Sequence, residues 1–295
     1  MPWLINTAQL DKLRKNPKNL IILDCTWHVS PERDAKQEYL NSHIAGARFL
    51  DLNLFHDQQT TLPNMLKRDE NFLNQTLSIL GVTPEYRVVF YDNSDEHTSC
   101  RALWMFKVFG HHASQLYILD GGLKAWEKYG GKLEMGEPRL VAPKSYPVNF
   151  QAHYIRTLMQ LKTNLHHPTE QVIDMRHPVR YAGGSEPRSG LRCGHIPGSY
   201  CFPYFTMFET DKRWKPIEKV CKQLTALGID LTHPIITTCG SGMTAPILNF
   251  ALDLMGYTNH ALYDGSWSEW GADHLYPGEA NITERPFKTS LDHVD

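Results

Sequence analysis

Four short stretches of this sequence occur twice, in the same order, and nothing else in it restricts the possible folds as much. Asp24-Cys25-Thr26 returns as Asp174-Met175-Arg176, and His43-Ile44-Ala45-Gly46 as His195-Ile196-Pro197-Gly198. Leu77-Ser78-Ile79-Leu80-Gly81 returns as Leu224-Thr225-Ala226-Leu227-Gly228, and Leu119-Asp120-Gly121-Gly122 with Trp126 as Tyr263-Asp264-Gly265-Ser266 with Trp270. The copies lie 144 to 152 residues apart, a drift that loop insertions and deletions produce. Whatever the first half folds into, the second half must fold into as well.

Within the first half, apolar periodicity predicts helices over 7–16, 71–80 and 101–109, and β-branched runs predict strands over 20–24, 87–91 and 116–120. Strands that alternate with helices imply an α/β fold, a central parallel sheet with helices on both faces, and the repeat makes it two tandem domains. A proline-punctuated stretch marks the joint. The expected organisation is a domain over 1–140, a linker over 141–152 and a domain over 153–295, with no usable periodicity after Tyr276. With 295 residues, 41% of them apolar, the chain can bury two cores.

A net charge of -2 and the lack of any long like-charge block argue against bulk binding to nucleic acid or to membrane, so small molecules and proteins are the expected partners. The start has no basic leader and no run approaches the length of a membrane span, which makes a cytoplasmic chain the expectation. Six cysteines without a C-x-x-C pair read as reduced thiols rather than a disulfide scaffold.

One of those thiols has a chemical context. Pro234-Ile235-Ile236-Thr237-Thr238 ends in Cys239, Gly240-Ser241-Gly242-Met243-Thr244 follows, and an apolar-periodic segment then opens with Pro246 in its first turn. Strand, tight turn and helix start would aim unpaired backbone N–H groups at the sulfur, or at an anion on it, and so favour the nucleophilic thiolate. At the aligned position the first half has Asp92, in Asp92-Asn93-Ser94-Asp95-Glu96-His97. An acidic loop cannot cradle an anion, so catalysis is expected from the second domain alone.

Asp-x-Arg, Gly-His-Ile-Pro-Gly, Cys-Gly-Ser-Gly-x-Thr-Ala and Tyr-Asp-Gly-Ser-Trp-x-Glu-Trp on a duplicated α/β unit resemble the tandem rhodanese-type sulfurtransferases. The resemblance spans residues 1 to 275 and implies a catalytic second domain, no cofactor, and sulfur transfer through a Cys239 persulfide to a thiol such as thioredoxin, or to cyanide. Gly240 and Ser241 stand where the thiosulfate-using branch has two cations, which implies 3-mercaptopyruvate as the sulfur donor and thiosulfate as the alternative. The family's carboxylate-binding arginines fall on Arg188 and Arg180, and Ser241 on its catalytic serine, with Gly240, Gly242, Met243 and Thr244 lining the anion site. Where many members have a His and an Asp to aid that serine, this sequence has Asn64 and Asn53. Asn64 can still orient a substrate carbonyl, and His56 is near in sequence.

His43 and His195 belong to the repeated turn, one of them in the half without a catalytic cysteine, so both read as structural, as do Asp264 and Trp267. His111-His112 and His166-His167 lack the spaced partners of a zinc site, and no metal is expected. A cysteine phosphatase would need arginine at Ala245; a non-catalytic sulfur carrier or protein-binding module remains the other class of reading.

Overall fold

The computed structural model describes residues 3–138, 141–276 and 279–290. They form two compact units, Met1–His56 with Leu66–Ala152 and Phe208–Lys215, and Asp57–Met65 with His153–Met207 and Pro216–Asp295. The segments 57–65 and 208–215 are therefore grouped with the half of the chain to which contiguous boundaries would not assign them.

The first unit contains β1 (Trp3–Ile5), α1 (Thr7–Arg14), β2 (Leu20–Asp24), α2 (Ala35–Asn41), β3 (His43–Ile44), β4 (Arg48–Phe49), α3 (Glu70–Ile79), β5 (Arg87–Tyr91), α4 (Ser99–Val108), β6 (Leu116–Leu119), α5 (Gly122–Tyr129) and β7 (Leu133–Glu134). The second contains β8 (Ile155–Arg156), α6 (Leu158–His166), β9 (Gln171–Asp174), α7 (Pro178–Ala182), β10 (Tyr200–Cys201), α8 (Ile217–Ala226), β11 (Ile235–Thr238), α9 (Pro246–Met255), β12 (His260–Tyr263) and α10 (Ser266–Trp270).

Both five-stranded sheets are parallel throughout, ordered β1-β6-β5-β2-β4 and β8-β12-β11-β9-β10, which is one topology written twice. Sheets covered on both faces need strands that are apolar on both sides. The central strands comply: Val88, Val89 and Phe90 of β5 and Ile236 of β11 have no exposed surface. Each such side chain contributes about 1.5–3 kcal/mol by leaving water. α1 and α6 open on the same device, a capping box from Asn6 with Gln9 and from Thr157 with Gln160.

The repeated His-Ile-x-Gly turns are structural in both copies. His43 donates through Nδ1 to the Tyr39 carbonyl at 2.8 Å and stacks on the Tyr39 ring; His195 does the same with Tyr181, also at 2.8 Å. β3 pairs antiparallel with β7, and His195 bridges in the same sense to Lys288 of the tail. Trp126 Nε1 donates to the Lys132 carbonyl and Trp270 Nε1 to that of Pro286. Residues 286–288 thus perform in the second unit what 132–134 perform in the first.

One buried side chain makes the largest set of contacts that hold the tail, beside the Lys162 pairs with Glu279 and Glu284. Arg285, fully buried, donates to the carbonyls of Glu269 and Trp270 at the end of α10, of Ala272 and His274 just after it, and to the Glu279 carboxylate. Burial raises the Glu279 pKa, but Lys162, the Tyr276 amide and Arg285 outweigh it and hold the carboxyl at about 2. No helix among the described residues is long and apolar enough to cross a membrane.

Candidate active site

β11 ends at Thr238, and Cys239 follows at the C-terminal edge of the sheet, where ligands of open α/β sheets gather. Gly242 turns the chain with φ of 79°, a conformation open to glycine without strain, and α9 starts at Pro246, whose missing N–H is no loss at a helix start. Cys239 is 1% exposed. Among the described residues the amides of Gly240, Ser241, Met243 and Thr244 donate to no protein acceptor, so these donors are left to an outside group. The Met243 side chain itself is buried, so only its backbone can serve that purpose.

Hydrogen bonds fasten the loop to α10, among them one from Ser268 Oγ to the Gly240 carbonyl at 2.8 Å. The Trp267 and Ser268 amides donate to the Cys239 and Gly240 carbonyls at 3.0 and 2.9 Å. Cys239 donates its own amide to Ser266 Oγ at 3.2 Å, and that hydroxyl lies 3.9 Å from Sγ and 2.9 Å from the Tyr263 carbonyl, which takes its proton.

Two arginines arrive from the α7 region. Arg188 donates to the Gly240 carbonyl at 3.0 Å and to Ser268 Oγ at 2.5 Å. A methyl group on Gly240 would stand 3.2 Å from Arg188 Nη2 and 3.3 Å from Arg180 Nη1, so both guanidinium heads converge on the residue after the cysteine. Behind them Glu186, its side chain 1% exposed, accepts from Arg180 at 2.7 Å and Arg188 at 3.2 Å, and Arg176 stands 3.7 Å away. Burial lowers the Arg188 pKa; Glu186 opposes this and Arg180 adds to it. Asp174 fixes Arg176 in turn, at 2.7 Å.

Of the residues singled out in the sequence, Cys239, Gly240, Ser241, Gly242, Thr244, Arg180, Arg188 and Asn64 come together in the second unit. Asn64 Nδ2 donates to Ser241 Oγ at 2.8 Å from a backbone with φ of 63°. Asn53 and His56 are grouped with the first unit, where Asn53 Oδ1 accepts from Trp27 Nε1 at 3.0 Å and His56 bridges to Leu66. Ser266, Ser268 and Glu186 had not been singled out. Ser266 could have been found from the repeat, since Gly122 occupies its place in the first half; Glu186 is the only acid between Asp174 and Glu209, amid four arginines.

The equivalent loop of the first unit is occupied from within. Leu123 donates its amide to the Asp92 carbonyl at 3.1 Å, as Trp267 does to Cys239, which fixes the correspondence. The Asp92 carboxylate accepts from the amides of Ser94 at 3.0 Å and Ser99 at 2.8 Å, satisfying the start of α4. Burial pushes the thiols of Cys25 and Cys100 well above the ordinary cysteine range, and that of Cys201 to about 11. All the described cysteines are free thiols, and no group of three His, Cys, Asp or Glu side chains among the described residues could hold a metal.

The model of the rhodanese-like domain matches residues 6–129 and, again, 157–273. The thiosulfate/3-mercaptopyruvate sulfurtransferase 1, mitochondrial, of Arabidopsis thaliana is 37% identical over 284 residues, 89% of this chain and 74% of that one. The 3-mercaptopyruvate sulfurtransferase of Escherichia coli (strain K12) is 36% identical over 94% of this chain and 98% of its own length. The crystal structure of SseA from Escherichia coli, solved for the "Rhodanese" fold and mechanism of 3-mercaptopyruvate sulfotransferases, superposes with a TM-score of 0.80 at 31% identity, covering 91% of this chain and all of that one.

Proposed function

We propose that this chain, which belongs to the rhodanese-like domain family with two such domains in tandem, is a sulfurtransferase that takes sulfur from 3-mercaptopyruvate and hands it to a thiol acceptor through a persulfide on Cys239. The observation that carries the reading is the position of Cys239 between amides without a protein acceptor and two converging guanidinium groups. Arg188 and Arg180 hold the donor's carboxylate and keto group, as forked cations do. The Cys239 thiolate attacks the donor sulfur; the carbon–sulfur bond breaks, and its electron pair passes into the enolate of pyruvate.

That enolate takes up a proton, which Ser241 relays, its hydroxyl oriented by Asn64. The amides of the 240–244 loop stabilise the anionic outer sulfur of the persulfide. An acceptor thiolate then attacks this sulfur and displaces Cys239 as thiolate, by the geometry of thiol–disulfide exchange. Thioredoxin, another dithiol or cyanide fits this step; a dithiol releases hydrogen sulfide as it closes its own disulfide. The chemistry requires no cofactor.

Thiosulfate is the second donor reading, supported by relatives whose names carry both substrates. Intact-mass measurement after incubation with 3-mercaptopyruvate tests the core step. One added sulfur is expected on wild type and on variants lacking Cys25, Cys100, Cys193, Cys201 or Cys221, and none on Cys239→Ser. Wild type without the adduct refutes the proposal, and a kcat/KM that favours thiosulfate refutes the choice of donor.

A further inference from the structure

Glu186 sits buried with three guanidinium groups. It contacts Arg180, Arg188 and Arg176, and Arg176 is also paired with Asp174. Asp174, Arg176 and Glu186 have side chains about 1% exposed, so their charges interact without the screening that water gives a surface cluster. Three cations against two carboxylates leave one positive charge over. It is delivered beside Cys239, because the exposed part of the cluster is the pair of heads on Arg180 and Arg188, which meet at Gly240.

We propose that Glu186 is a specificity-determining positioning residue: by cancelling one of the two positive charges at Gly240, it makes the site select a singly charged donor over a doubly charged one. This rests on the reading of Arg180 and Arg188 as the donor's anchors. Glu186 touches no donor itself. It works in two ways, holding both guanidinium groups in one orientation and setting how much net charge they present.

Charge is the discriminating quantity because its effect has a direction that loosened packing does not. Adding one positive charge to the cluster strengthens binding of every anion, and that of a dianion by about the square of the factor for a monoanion at the same place. A loosened site weakens both.

Titration calorimetry with pyruvate as the monoanion and sulfate as the dianion, on wild type, Glu186→Gln, Glu186→Asp and Arg180→Gln, reads this directly. Relative to wild type, Glu186→Gln should shift the sulfate-to-pyruvate affinity ratio toward sulfate by at least about tenfold. Glu186→Asp, which keeps the charge, should stay within about twofold, and Arg180→Gln, which removes a partly exposed cation, should shift the ratio the other way. In turnover, the ratio of kcat/KM for thiosulfate to that for 3-mercaptopyruvate should move in the same sense, chiefly through KM.

An unchanged ratio in Glu186→Gln overturns the proposal, as does a loss of affinity for both anions that Glu186→Asp shares. Should Glu186→Gln fail to fold, Arg180→Gln carries the test, and an unchanged ratio there overturns the proposal equally. A wild type that moves no sulfur from either donor defeats the sulfurtransferase reading, while the calorimetric ratios still decide the role of Glu186.

Discussion

Replacing Ser266 should separate two opposing contributions at one position. Ser266 has φ of 52°, in the left-handed region, and its counterpart in the first unit, Gly122, has φ of 57°. A side chain with a Cβ is strained there by about 1–2 kcal/mol, so a serine stands where the fold would prefer glycine. Its hydroxyl accepts the buried Cys239 amide at 3.2 Å, and removal of the hydroxyl leaves that donor unpaired at about 1–3 kcal/mol. Ser266→Ala keeps the strain and loses the bond, so it should lower stability by about 2 kcal/mol. Ser266→Gly loses the bond but also the strain, and should come out about 1 kcal/mol above the alanine variant. Both should transfer sulfur from 3-mercaptopyruvate with kcat/KM down by about tenfold, since the amide, and with it the Cys239 backbone, is no longer fixed. Urea denaturation and steady-state pyruvate release measure the two effects. An alanine variant with wild-type activity, or glycine and alanine variants of equal stability, would refute the reasoning.

Three further outcomes follow from the geometry. Asn64→Gly preserves the left-handed backbone but removes the donor to Ser241 Oγ, so kcat/KM should fall several-fold with little change in Tm, whereas Asn64→Ala should lose stability as well. Arg285→Met strands the carbonyls at the end of α10 and takes from Glu279 its buried guanidinium partner, leaving it Lys162 and the Tyr276 amide; a loss of about 3–5 kcal/mol in denaturant unfolding is expected. Burial lifts the Asp24 carboxyl from 3.8 to about 6, against hydrogen bonds from Thr26 and Tyr91. An acid whose folded pKa is raised contributes stability that is full below about pH 4 and is lost as the pH rises through 6, here about 3 kcal/mol in all. Asp24→Asn, which can still accept from Thr26, should remove that slope, so its stability relative to wild type rises between pH 4.5 and pH 7.5; parallel curves would rule this out.

Much of the architecture was legible because it is written in periodicity. The helix expected over 71–80 spans Glu70–Ile79, and the strands expected over 20–24 and 87–91 are Leu20–Asp24 and Arg87–Tyr91. The Asp92 and Cys239 turns could be aligned from sequence alone, because an apolar strand precedes and a helix follows both loops, although only the second carries glycines. The tail was not legible, since it is held by individual long side chains, Arg285, Lys162 and Trp270, and a bridge at Lys288, and such isolated contacts leave no periodic trace. Nor was the grouping of 57–65 with the second unit, which rests on contacts far apart in sequence and brings Asn64 to Ser241. Glu186 stands out in the sequence only as a lone acid amid four arginines; its place among three cations depends on the path of the chain between β9 and β10.

The Asp92 turn also bears on how many anions one molecule can hold. A carboxylate tethered in its own loop acts at an effective concentration that a free solute cannot match, so the Ser94 and Ser99 amides of the first unit's loop are taken by the chain itself. At the cysteine turn the amides of Gly240, Ser241, Met243 and Thr244 meet no tethered carboxylate among the described residues, which leaves them to the Cys239 sulfur and an outside anion. Although the backbone offers the motif twice, an anion titrated into this protein should therefore show a stoichiometry of one per chain, with no weaker second phase from the other half.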